Sequence, residues 1–586
     1  MDINKKLSLL REKLEENKLE GYLITGTDYN QSEYVSAYFR SREFISGFTG
    51  SAGTVLVTKN KAYLWVDSRY YIQGAKQIEN SEFILMKLDF ESTLNPYDFI
   101  ENTFLKGAKL GVDGKTISIA QFKELSTRFA KKQISFEATP DLLDSFWTDR
   151  PAFPFSKCED FALEYAGVSR KIKLDMIRHQ LAKKGTNATL IASLDDIAWA
   201  LNLRANDIPH SPVFVAYLLV TLDEAILFIN PKRFNEGLKA EVEKVCKIAD
   251  YDAIYEQLDS NTLKFYYDDN KVNQSFAKYF NCDSVLGMDF STLAKAQKNE
   301  AELEGMRKAH YFDGIAYANF RAKLKNKTNL DEIAVSTLFE EERQKMPGYL
   351  EPSFGPISGF GPHGAMCHYS ATKETSSLID SDNLLVLDTG SQYEYGTTDL
   401  TRTLLFGKAT EAQKRDYTIV LKGHLALGSC WFIEGTYGPQ LDVLAKQYLW
   451  QAGMSFYHGT GHGVGCRLNV HEGPCSISTR VNKEPLKVGM VLSNEPGLYK
   501  EGEYGIRIEN LIAVQRAAKT QFGQFLSFET LSMVPYEREL IDLSLLSDIE
   551  LKQINSYHKW IFESFKDKVE KETLVWLQEA TAILEK

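Results

Sequence analysis

The sequence lacks what several common protein classes need. Its seven cysteines, an odd number, form no CxxC pair, which reads as reduced thiols rather than a disulfide scaffold. No apolar run is long enough to cross a membrane. The most apolar stretch, Val213 to Ile229, is interrupted by Asp223 and Glu224 and reads as two strands and a turn. Met1 to Glu20 is charged throughout and has no apolar segment of the kind a secretory signal carries, so the expected location is cytoplasmic. Basic residues are outnumbered, 68 Lys and Arg against 79 Asp and Glu, for a net charge of −11 with no basic stripe; nucleic acid is therefore not an expected partner. There is no G-x-S-x-G elbow and no low-complexity segment, so serine chemistry has no support.

What is present begins with length. At about 150 residues per domain, 586 residues suggest three or four domains. An internal repeat divides the first half. Arg11-x-x-Leu14 precedes Leu23-Ile24-Thr25, and Arg178-x-x-Leu181 precedes Leu190-Ile191-Ala192 at the same spacing. Leu56-Val57-Thr58 with Ala62 to Asp67 likewise matches Leu219-Val220-Thr221 with Ala225 to Asn230. Each copy reads as a helix, a short apolar strand and a hairpin. Two related α/β domains are expected at 1–150 and 151–299, joined near Pro151-Ala-Phe-Pro154. A third region, 300–586, opens with a helical pattern from Glu300 to Leu324. A second helix is expected from about Leu330, with Thr328 and Asp331 at capping-box spacing. A further one begins at Ser547-x-x-Glu550 and runs towards Phe565. Gly359-x-Gly361-x-x-Gly364 spells a dinucleotide fingerprint, but Pro362 and the residues after it read as extended chain, so it fails that motif's context.

The third region holds the chemistry. Leu384 to Asp388 is an apolar strand ending in a carboxylate, and a turn at Tyr395-Gly396 leads to a second strand with Asp399, Thr401 and Thr403. Paired as a hairpin, the two acids would face each other and repel unless a cation lay between them. Alone, they read as solvated turn acids. Next, His458-Gly-Thr-Gly-His462-Gly-Val-Gly465 has four glycines in eight residues, which points to extended chain in close contact with something rather than to a helix. His471 follows, and His368 lies earlier. Histidines among glycines beside acidic strands favour metal or proton-transfer work. Glu495 ends another apolar strand, and Arg507 and Glu509 share the strand face opposite Ile506 and Ile508. Singly, an Arg–Glu pair reads as a surface salt bridge. The set of two Asp, one His and two Glu at strand ends carries the argument.

Those five residues, in that order, resemble the peptidase family that contains methionine aminopeptidase, prolidase and aminopeptidase P. Asp388 in Leu-Asp-Thr-Gly, Asp399 in Thr-Thr-Asp-Leu-Thr-Arg, His462, Glu495 in Asn-Glu-Pro-Gly and Glu509 in Gly-Ile-Arg-Ile-Glu-Asn match its metal ligands. Phe48-Thr-Gly-Ser-Ala-Gly53, Val66-Asp-Ser-Arg69, Asp196 to Arg204, Asn469-Val-His-Glu-Gly-Pro474 and Leu526 to Pro535 are similar to the long, three-domain cytosolic form of aminopeptidase P. The resemblance implies an α/β (α+β) chain of two related creatinase-like domains followed by a pita-bread catalytic domain. It also implies a homodimer and hydrolysis of the bond before a proline in second position, through a hydroxide bridging two metal ions. Asp388 would bind one metal, His462 and Glu495 the other, with Asp399 and Glu509 bridging. A mostly oxygen ligand set favours Mn²⁺, with Zn²⁺ and Co²⁺ left open.

The resemblance further casts Glu495 as general base and His368, His458 and His471 as sharing oxyanion stabilisation, proline placement and proton delivery. Arg507 would orient Glu509 or substrate, Tyr499 would line the pocket or simply be a buried aromatic, and Arg69 would help close the site. Two other readings stay open: a prolidase restricted to dipeptides, and a metal-free peptide-binding pseudo-enzyme.

Overall fold

Leu23-Ile24 and Leu190-Ile191 become central strands of two six-stranded sheets with the same strand order. In the computed structural model, which describes residues 1–67, 70–88, 93–259 and 263–586, the first sheet is built from β1 (Gly21–Ile24), β2 (Thr54–Thr58), β3 (Ala62–Val66), β4 (Phe83–Lys87), β5 (Lys109–Asp113) and β6 (Ser135–Thr139), in the order β4-β3-β2-β1-β5-β6. The second uses β7 (Ala188–Ile191), β8 (Tyr217–Thr221), β9 (Ala225–Phe228), β10 (Lys247–Ala249), β11 (Phe265–Tyr267) and β12 (Val285–Leu286), in the order β10-β9-β8-β7-β11-β12.

The registers correspond residue by residue: Leu23 pairs with Leu56, and Leu190 with Leu219. The preceding helices, α1 (Ile3–Glu16) and α2 (Arg170–Lys183), make the same contact, Arg11 Nε donating to Thr58 O and Arg178 Nε to Thr221 O, both at 3.2 Å. Every residue of β1 and β7 is buried, as strands covered on both faces require. Both sheets belong to one unit, Met1–Phe161, Val168–Pro209 and Val213–Ser291. Arg69 lies outside the described residues.

The other unit comprises Ala162–Gly167, His210–Pro212 and Thr292–Lys586. Its long helix α3 (Glu300–Leu324) is opened by a capping box between Asn299 and Glu302. The next, α4 (Glu332–Arg343), starts later than Thr328 would set it. Asn329 takes a left-handed φ of 56°, which helix cannot continue through, and Asp331 is the N-cap, accepting from Ala334 N. Two further helices are α5 (Glu411–Gly428) and α6 (Gly438–Gln451). Near the C-terminus come α7 (Asp548–Phe565), opened by the Ser547–Glu550 capping box, and α8 (Lys571–Ala580).

The strands that carry the chemistry fall in three groups. β13 (Ile357–Phe360), β14 (Asn383–Thr389) and β15 (Leu400–Phe406) form an antiparallel sheet in that order. The strands β16 (Gly461–Gly463), β17 (Glu472–Ile477), β18 (Val491–Asn494), β21 (Asn510–Thr520) and β22 (Gly523–Thr530) join Phe432–Ile433 in a six-stranded sheet, ordered Phe432–Ile433, β22, β21, β18, β16, β17. Between β18 and β21 in sequence, β19 (Gly497–Lys500) and β20 (Tyr504–Arg507) form a hairpin. β14 is apolar on both faces: Leu385 and Leu387 pack into a cluster with Ala316 and Phe320 of α3, and Leu384 into one with Val420 and Leu421 of α5. A carboxylate at the end of such a strand is delivered to the interior. Gly359 lies within a strand, β13, which leads only into a short 3₁₀ turn, Gly361–Ala365, so the dinucleotide reading still lacks its helix.

Candidate metal centre

Asp388 and Asp399 meet diagonally rather than face to face. Asp388 is opposite Thr401 in the β14–β15 ladder, and Asp399 precedes β15 by one residue. Thr401 and Asp399 are two apart and so point to one side of the chain. Both acids are buried, and Asp399 Oδ2 lies 3.5 Å from His462 Nε2.

His462 sits on β16, which is extended as its glycines require. A Cβ on Gly461 would stand 2.0 Å from Ser493 O, and one on Gly463 2.2 Å from Glu472 O. Only glycine lets this strand close against both neighbours. His462 Nδ1–H donates to Gly463 O at 3.0 Å, leaving Nε2 to face the acids. Glu495, just beyond β18, places Oε1 3.6 Å from that nitrogen and accepts from Ser493 Oγ at 3.1 Å. Glu509 lies in a break between β20 and β21, not on one continuous strand. Its Oε2 accepts from Thr401 Oγ1 at 2.8 Å. One ligand atom from each of Asp399, His462 and Glu509 falls within 4.8 Å of the others.

The electrostatics follow from four acids in one buried place. Burial raises Glu509 well above the carboxylate range, and Asp399, Glu495 and Asp388 add to it. Burial lifts Glu495 to about 7 against the pull of His462 and Arg507. Asp388 is also raised by burial, with Arg507 opposing. For His462 burial works downward, but Asp399 and Glu495 outweigh it and raise the ring to about 9. Asp388 Oδ1 and Glu509 Oε1 are buried without a hydrogen-bond partner among the described residues. Such oxygens are costly in a protein interior, and divalent cations are the groups that relieve them. The donor set fits two such ions.

Arg507 is the positive element. Its Nη2 donates to Asp388 Oδ2 at 2.6 Å and its Nη1 to Tyr499 OH at 2.7 Å. His458 completes the chain. Its Nδ1–H donates to Gly459 O and its Nε2 is 2.8 Å from Tyr499 OH, so Tyr499 is a hydrogen-bonded link and not merely a wall. Burial, with Arg507 next, lowers His458 to about 3. His471 packs edge-on against His462, ring centroids 4.3 Å apart. His368 is exposed on a turn, where its charge is felt by His458.

Sequence reasoning passed over Ser493 as a holder of Glu495, and Thr401 as a holder of Glu509. Thr401 was visible as the alternate residue after Asp399. Ser493 had only its place two residues before Glu495.

Residues 304–516 match the sequence model of metallopeptidase family M24, and 524–584 that of the C-terminal region of the family. Residues 6–145 and 149–302 each match a creatinase/prolidase N-terminal domain. Aminopeptidase P2 of Arabidopsis thaliana is 38% identical, over 100% of this chain and 89% of its own. A "probable Xaa-Pro aminopeptidase P" of Paracoccidioides brasiliensis (strain Pb03) is 38% identical over 99% of each. The crystal structure of an X-prolyl aminopeptidase from Caenorhabditis elegans, described as a cytosolic enzyme with a di-nuclear active site, superposes with a TM-score of 0.94 at 30% identity, covering 100% of both chains.

Proposed function

The chain belongs to metallopeptidase family M24, and on that premise we propose that it is a metal-dependent aminopeptidase that hydrolyses the bond between an N-terminal residue and a following proline. The observation that carries the reading is the convergence of Asp388, Asp399, His462, Glu495 and Glu509 with two buried carboxylate oxygens left unpartnered. Correspondence with aminopeptidases over the full chain, including both creatinase-like domains, supports an aminopeptidase over a dipeptidase. The division at 1–150, 151–299 and 300–586 belongs to the same reading.

In it, Asp388 would hold one cation and His462 and Glu495 the other, with Asp399 and Glu509 available to both. Two bound divalent ions supply Lewis-acid polarisation of the scissile carbonyl and a water acidic enough to attack near neutral pH. Four carboxylates and one imidazole favour Mn²⁺. An X-Pro bond is a tertiary amide with no N–H, so the leaving ring nitrogen must receive a proton. Glu495 takes a proton from the attacking water, and His368, His458 and His471 share oxyanion binding, proline placement and proton delivery. Tyr499 O–H donates to His458 Nε2 while accepting from Arg507, which fixes the imidazole for that work. The di-nuclear relative is cytosolic, which supports a cytoplasmic location here; a homodimer completes the proposal.

The test is cleavage of X-Pro-Y peptides by the full chain with Mn²⁺ and with a chelator. Release of the N-terminal residue only with metal is expected. Cleavage of X-Pro dipeptides alone would make it a prolidase, and neither Mn²⁺ binding nor cleavage would make it a metal-free peptide-binding relative.

A further inference from the structure

The buried face of α6 presents Leu441, Ala445 and Leu449 to the core, yet it also carries Asp442 and Lys446, 3% and 2% exposed. Lys446 Nζ donates to both oxygens of Asp442, at 3.0 and 2.8 Å. Desolvation offsets most of the attraction in such a pair, and two apolar side chains would hold a core as well or better. Stability therefore does not account for it.

Its other described contacts lead towards the metal centre. Asp442 Oδ1 accepts from Thr460 Oγ1 at 2.7 Å. Thr460 O in turn accepts from the backbone N–H of Glu495 at 2.8 Å. The Lys446 ammonium stands 4.8 Å from the centre of the Phe456 ring, which itself lies 4.8 Å from the His458 ring. Thr460 is two residues from His458 on one side and two from His462 on the other.

We propose that the Asp442–Lys446 pair, acting through Thr460, is the positioning device for the loop carrying His458 and His462 and for the strand end carrying Glu495. The inference rests on reading this pocket as a metal centre. Thr460 is the node: its side chain fastens the loop to a helix, and its carbonyl fastens that loop to Glu495. The two side chains assigned to one cation are thereby fixed relative to each other before it arrives. A polar pair within an apolar face suits this role because it can hold a hydroxyl in one direction, which a leucine cannot.

The test is Mn²⁺ titration calorimetry on the metal-stripped full chain. Thr460→Val keeps the shape and removes the hydroxyl; affinity is expected to fall 10- to 100-fold, roughly the range for lost outer-shell partners. Thr460→Ser is expected to restore it. The triple variant Asp442→Leu/Lys446→Met/Thr460→Val, which leaves none of these three side chains with an unpaired polar atom, is expected to melt, without metal, no lower than wild type while losing comparable affinity, a split that a purely structural pair would not give. Thr460→Val binding within about twofold of wild type would overturn the inference, whether or not the triple variant folds. Wild-type protein that binds no Mn²⁺ would overturn the metal reading and this inference with it.

Discussion

Loading the protein with Mn²⁺ at pH 7 should release at least one proton per chain, because metal ligands bind only when deprotonated. In the metal-free site His462, raised to about 9, is charged, and Glu495, raised to about 7, is about half protonated. Burial and the three neighbouring acids push Glu509 in the same direction. The same shifts set the stability of the metal-free protein. A carboxyl or imidazole whose folded value is raised contributes stability that is complete below its unfolded value and is lost as pH climbs through the folded one. Metal-free protein should therefore melt at progressively lower temperature between pH 6 and pH 9.

For His462 alone the rise from 6.5 to about 9, at about 1.4 kcal/mol per unit, is worth about 3 kcal/mol across that window. Saturating Mn²⁺ favours the ionised ligands and should remove that slope, so the gap between the two melting temperatures widens with pH. Calorimetric titration at pH 7 in Tris and in PIPES reads the proton count, since the two buffers take up protons with different heats. Equal heats in both buffers, with a metal-free melting temperature flat from pH 6 to 9, would refute the reasoning.

Asp399→Ala should reduce bound Mn²⁺ below two per chain by elemental analysis, since Asp399 shares its small volume with His462 and Glu509. His458→Ala should keep both ions and lower kcat by about 10²- to 10⁴-fold; unchanged turnover would end its role. Gly463→Ala puts a Cβ 2.2 Å from Glu472 O and should destabilise by about 1–3 kcal/mol while weakening Mn²⁺ binding, both visible in melting curves with and without metal. In the first unit, burial and then Asp141 push Asp113 from 3.8 up to about 7, a cost that grows as pH rises from the unfolded value to the folded one and is complete above it. Asp113→Asn, which can still accept from Lys115 N, should raise the melting temperature at pH 8 and leave it nearly unchanged at pH 4.5.

The repeat was legible because central strands covered on both faces must be continuously apolar, and Leu23 and Leu190 duly occupy equivalent places. So was the Ser547–Glu550 capping box, where spacing is itself the mechanism. Thr328 shows the limit: the spacing is right, but a left-handed Asn329 decides the start. In the site, acids at strand ends could be read from the sequence, but which oxygens meet could not. Asp388 and Asp399 are diagonal because ladder register places Thr401 opposite Asp388. The Tyr499 hydroxyl and the Asp442–Thr460 bond arise from tertiary approach of a hairpin and a helix, which residue spacing does not encode. Arg69 lies outside the described residues.

Four acids in one pocket could relieve their repulsion by moving apart or by taking up protons, and the backbone decides which. β16 lies so close to Ser493 and to Glu472 that its glycines leave no room for a methyl group. Ladder bonds fix Asp388 opposite Thr401, and Thr401 fixes both Glu509 Oε2 and Glu509 N. A scaffold packed this tightly has few ways to splay. Repulsion is then expressed as raised carboxyl and imidazole values rather than as an open site, and proton release, not a change of fold, is what should accompany metal entry.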